Sequence, residues 1–130
     1  MKKNNTIASH QSHRRRLRLD SRRRLKKTVE FQQVFKTRCS TADRYIVVYA
    51  RPNQLVHSRV GISVGKRLGP AVKRNRYKRT LREAFRLLQP ELPVGYDFVL
   101  IPRPVEKATT EIYRKSLLSL CRKLHNRRNK

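Results

Sequence analysis

Between Gly65 and Arg86 the sequence reads GKRLGPAVKRNRYKRTLREAFR, nine basic residues against the single acid Glu83. Side chains of this kind bind phosphate: guanidinium forks meet phosphate oxygens two at a time, and ammonium groups add point charge. Lys66 and Arg67 stand in a Gly-containing connection that follows a strand-like segment. Asn75, set between Arg74 and Arg76, adds a neutral donor and acceptor able to meet a sugar or a base edge. A basic run is most often a solvated helix face, but the placement of these residues is more specific than that.

Phosphodiester hydrolysis by the chain itself would need convergent carboxylates for metal ions, or a histidine pair for acid–base work. Asp20 lies in a basic arm, Asp43 precedes a strand, Glu83 sits among arginines, and Glu91 and Asp97 flank a turn and a strand. No D-x-D or H-x-x-x-H arrangement occurs, and no GxxxxGK[ST] phosphate loop. His10, His13, His57 and His125 read as surface residues. Cys39 and Cys121 lack the paired spacing of a zinc site and read as free thiols. No catalytic residue and no metal ligand is assigned to the chain.

Composition points the same way, since 34 Lys plus Arg against 8 Asp plus Glu leave a net charge of +26 on 130 residues. So much like charge repels itself in a compact fold, and a polyanionic partner, nucleic acid first, relieves it. The length suits one domain with a modest core. Apolar runs stop well short of a membrane span, and none near the start resembles a signal peptide, so a cytoplasmic chain is expected. Residues 1 to about 27 carry eleven basic residues and the one acid Asp20. That balance predicts an arm disordered when free. Its Arg-rich character lacks the amphipathic period of a transit peptide.

The elements that must position the basic stretch follow from periodicity. Val29, Phe31, Val34 and Phe35 are spaced as one face of a short helix that Thr28 could cap. Tyr45 to Ala50 reads as a strand, Arg51 to Gln54 as a turn, and Arg59 to Val64 as an alternating strand, which together suggest a hairpin. Pro70 reads as an early helical residue, and from it the basic helix puts Tyr77, Leu81, Ala84, Phe85 and Leu88 on one stripe, with Asn75, Lys78, Arg79, Arg82 and Arg86 opposite. Tyr96 to Ile101 reads as a strand between proline-marked breaks. A terminal amphipathic helix starts at Thr109 or Thr110 and carries Tyr113, Leu117, Leu120, Cys121 and Leu124 on one face. The fold class expected is α+β, a small sheet with helices packed on it.

At these residues the chain closely resembles the bacterial ribonuclease P protein subunit family. Val64 to Arg86 carries the family's Lys-Arg pair, Gly-x-Ala-Val turn, Arg-Asn-Arg motif and Lys-Arg-x-x-Arg-Glu-x-Phe-Arg continuation. The likeness extends over about residues 24 to 125, leaving 1–24 as a basic arm, 25–125 as the family domain and 126–130 as a basic tail. It implies a single α/β sandwich in αβββαβα order with a left-handed βαβ crossover, against the general right-handed rule. It also implies a subunit that binds a large catalytic RNA and supports Mg²⁺-dependent removal of the 5′ leader from precursor tRNA. The RNA would hold both the active site and the metal, with no membrane and no small-molecule cofactor involved.

Carried over by position, Lys66, Arg67, Lys73, Arg74, Asn75, Arg76, Lys78, Arg79 and Arg82 would engage the catalytic RNA. Phe31, Phe35 and Tyr49 match positions lining a cleft for the single-stranded leader, where bases could stack. Spacing alone favours ordinary core packing for Phe31 and Phe35, and the resemblance reverses that preference. Gly65 stands where the family commonly has Ser or Ala, and Pro70 where it commonly has Asn, so any contact made by that Asn side chain is lost. The rival readings are a ribosomal or RNA-chaperone type binding protein and a protein-only nuclease; the block from Gly65 to Arg86 argues against the first, and the scattered carboxylates against the second.

Overall fold

The computed structural model describes residues 19–105 and 108–129. Its elements are α1 (Thr28–Lys36), β1 (Ser40–Ala42), β2 (Ile46–Pro52), β3 (Arg59–Ile62), α2 (Ala71–Leu88), β4 (Tyr96–Pro102) and α3 (Thr110–Arg128). The order is αβββαβα, and the strands form one sheet in the order β1-β2-β4-β3.

The expected hairpin between the strands at 45–50 and 59–64 does not form. β4 lies between them, antiparallel to β2 and parallel to β3, with Arg59 level with Asp97 and Pro52 level with Tyr96. The reason is burial. Tyr96 through Leu100 are all buried, so this segment takes the centre of the sheet, where neighbours cover both edges and both faces. β3 carries Arg59 and takes an outer position. The turn residues after β2 round the start of β4, where Asn53 bonds the Gly95 carbonyl through its N–H and Asp97 through its side chain. A β–α–β unit of parallel neighbours, β3–α2–β4, results.

β1 is short and was not legible from alternation. It is held by the Asp43 carboxylate, whose Oδ1 accepts from the N–H groups of Tyr45 and Ile46 and turns the chain into β2.

Alternation divides the sheet's two faces. Ile46, Val48, Ala50, Phe98 and Leu100 meet the apolar stripes of α2 and α3, and the expected stripe residues Leu81, Ala84, Phe85, Leu88, Tyr113, Leu117, Leu120, Cys121 and Leu124 are all buried there. Tyr77 is half-buried. Val99 faces the other way, into a smaller cluster with Leu25 and Val34, against which Phe31, Phe35, Tyr49 and Ile101 pack. Both cysteines are free, Cys121 buried and Cys39 half-buried.

Thr28 is the first helical residue of α1 rather than its cap; Glu30 Oε1 instead accepts from the N–H groups of Lys26 and Lys27. The segment 19–27, expected to belong to the arm, lies against the fold. Asp20 caps a short turn at Ser21–Arg23, Arg24 bridges to Val60, and the Leu25 N–H bonds the Val60 carbonyl at 2.8 Å. Residues 1–18 lie outside the described residues. The basic tail continues α3 as far as Arg128, and Arg127 donates to the Ser40 carbonyl.

Candidate nucleic-acid interface

The connection from β3 to α2 is built to present cations. Leu68 is buried and anchors a short turn at Lys66–Leu68, leaving Lys66 and Arg67 exposed beside it. Gly69 has φ +122, a backbone region closed to most side chains. Pro70, expected as an early helical residue, instead stands just before Ala71 with ψ 168, an extended backbone outside the helix, and no side chain caps the start. Gly65 needs no such freedom, since a Cβ there would touch nothing within 4 Å, and the departure from Ser or Ala is sterically free.

The first turn of α2 contains no acid and carries Lys73 and Arg74, with Arg76 in the next turn. Cations there oppose the helix dipole, locally unfavourable by about 0.3–1 kcal/mol each. An anion reverses that sign, because uncapped N–H groups and basic side chains then act on it together.

The candidate residues divide around the helix. Asn75, Lys78, Arg79 and Arg82 line one groove with Arg24 and Arg86. Lys73 and Arg76 line a second, with Arg67 and Tyr77, on the side toward α3. Arg74 is half-buried, and its Nε donates to the Gly69 carbonyl at 3.2 Å, so it also fastens the helix start. Among the described residues, Lys66, Arg67, Lys73, Arg74, Arg76, Lys78, Arg79 and Arg82 have no carboxylate partner; Arg86 is paired with Glu83. That pairing holds the Glu83 carboxyl below its ordinary value and raises Arg86.

Phe31, Phe35 and Tyr49 come together on the sheet face opposite α2, each half-buried. Phe35 meets Tyr49 edge-on at 5.0 Å between ring centroids. Phe31 lies over Gly61, and it shares a small groove with Lys78 and Arg82, so the aromatic cluster and the basic helix meet at the β3 edge. Along the same face runs an open groove of about 680 Å³, lined by Val47 and Ile101 with Arg44, Arg67 and Arg103. Arg44 and Arg103 were not singled out from sequence, because isolated arginines outside a run carry no signal until folding places them at one groove.

α1 is held over this face by a buried charge network. Arg59 grips Asp97 with two hydrogen bonds, of 2.8 and 2.7 Å, and reaches Glu30 on α1 at 3.1 Å. Asp97 is 1% exposed. Hydrogen bonds donated to Asp97 raise Arg59, and those that Glu30 accepts from the Lys27 and Lys26 backbone, helped by Arg59, lower Glu30. The two described histidines are tied into the fold rather than simply exposed: His125 Nδ1 is 2.8 Å from the Tyr96 hydroxyl, and His57 Nε2 is 3.3 Å from the Arg22 carbonyl. Among the described residues, no three His, Cys, Asp or Glu side chains converge as a metal site.

The Ribonuclease P family model matches residues 19–125. The chain belongs to that family. Relatives named ribonuclease P protein component include one from Lactiplantibacillus plantarum, 47% identical over 103 residues covering 78% of this chain and 90% of the relative. Another, from Oceanobacillus iheyensis, is 44% identical over 112 residues, covering 82% and 93%. The ribonuclease P protein of Thermotoga maritima superposes with a TM-score of 0.71 at 36% identity, covering 77% of this chain and 96% of that one. A role in the ribonuclease P complex, a ribonucleoprotein endonuclease, comes with the family, and the ribosomal and RNA-chaperone readings fall.

Proposed function

We propose that this ribonuclease P family protein docks on the catalytic RNA through α2 and the turn before it, and receives the 5′ leader of precursor tRNA across the open sheet face. The observation that carries the reading is the meeting of the two surfaces: Lys78 and Arg82 share a groove with Phe31. An RNA bound along α2 would therefore lie beside a strand threaded past Phe31, Phe35 and Tyr49. Half-buried rings suit stacking on unpaired bases, while Arg44, Arg67 and Arg103 suit the backbone of the same strand. No helix of the described residues is long and apolar enough to cross a membrane, and a cytoplasmic site of action fits the RNA partners.

The chemistry is assigned to the RNA. Mg²⁺ is assigned to the RNA with the chemistry, as the resemblance implies. Arg74 holds the Gly69 carbonyl, so the sharper probes of docking are Arg79 and Arg82, both exposed. Replacing both with alanine should weaken association with the catalytic RNA and flatten the log–log salt dependence by roughly one unit per lost phosphate contact. An unchanged slope removes them from the interface.

A further inference from the structure

We infer that the pocket between α2 and α3 receives one unstacked nucleotide of the RNA that docks on α2, its phosphate among Arg67, Lys73 and Arg76 and its base beside Tyr77 with an edge toward the Tyr113 hydroxyl. The inference rests on the docking reading above and adds a distinct site to it. The pocket encloses about 580 Å³, within the roughly 300–1,000 Å³ of small-ligand sites. Its lining is mixed. Basic side chains supply phosphate partners, and Leu68 and Pro104 supply apolar contact for a base.

Tyr113 is the second, independent observation. It lines this pocket and is 1% exposed, yet its hydroxyl has no hydrogen-bond partner among the described residues. A buried hydroxyl left unpaired is unfavourable, and phenylalanine would fill the same volume without that penalty. Core packing explains the ring but not the hydroxyl. Burial, with Tyr77 adding to it, pushes the phenol up to about 12, so it stays protonated and able to donate across the physiological range. The acceptors it suits are the ring nitrogens and carbonyl oxygens of a base's Watson–Crick edge, which an unpaired nucleotide offers and base pairing occupies.

Two measurements on the full chain with its catalytic RNA test this. Tyr113→Phe should lower affinity about three- to tenfold, the effect of one lost hydrogen bond, while the thermal midpoint holds or rises. A photo-crosslinking residue at Thr80, which lines the same pocket, should attach to a single unpaired nucleotide. Parent-like binding by the phenylalanine variant overturns the inference, as do crosslinks confined to helical RNA or absent altogether. If the variant also loses thermal stability, the crosslink decides. Should Tyr113→Phe bind normally while the Arg79 and Arg82 double variant is weakened, the pocket fails and docking stands; if the double variant also binds normally, the docking reading fails.

Discussion

Gly61 has no room for a side chain. A Cβ there would lie 2.6 Å from Phe31 Cζ and 3.1 Å from Leu25 Cβ, inside ordinary contact distance. Gly61→Ala must push the Phe31 ring outward or strain β3, an overpacking cost of about 1–3 kcal/mol that urea denaturation would register. Unchanged stability would show that the ring yields freely. Phe31→Ala should reduce affinity for leader-bearing precursor more than for mature tRNA, and equal losses would assign the ring to packing alone. Helical spacing put Phe31 and Phe35 on one face and favoured core, and the resemblance favoured an open cleft. The folded answer is both, since each ring packs on the Leu25–Val34–Val99 cluster and keeps an open side. Arg74, expected from the resemblance to engage RNA, also has a structural share through its bond to the Gly69 carbonyl.

Among the elements, α1 depends on a charge clamp that no local pattern announces, because Glu30, Arg59 and Asp97 are distant in sequence and meet through strand register. Glu30 sits below its ordinary value of 4.5 in the fold, through the Lys27 and Lys26 N–H bonds first and Arg59 after them. A carboxylate lowered by folding stabilises the protein above the unfolded value, and that contribution disappears as pH falls through the folded one. Glu30→Gln should therefore be less stable than the parent near neutrality, with the gap closing as pH drops below 4.5. Urea midpoints across that range would check it, and a gap independent of pH would mean that the carboxylate charge is not what holds α1. The helices and the central strand were legible because their apolar periods are long. The strand pairing was not, because turn residues at 51–54 serve a hairpin and a split pair alike, and the burial of all of Tyr96 to Leu100 decided it. β1 was too short for any period to show.

For the whole molecule, a charge of +26 favours a polyanionic partner, but charge alone does not say where such a partner would lie. The proposed docking surface rests on the fold, which sets the uncompensated cations of α2 around the helix and brings one of their grooves against an aromatic face. The same arrangement puts four of the described acids in structural work: Glu30 and Asp97 clamp α1 through Arg59, Asp43 turns the chain into β2, and Glu83 pairs with Arg86. The central claim is that this surface serves an RNA that does the cutting. The most direct measurement is cleavage of 5′-labelled precursor tRNA in Mg²⁺ by the purified chain, with and without its catalytic RNA. Release of the intact leader should require the RNA and should fall when Arg79 and Arg82 are replaced by alanine; cleavage by the chain alone would contradict the account.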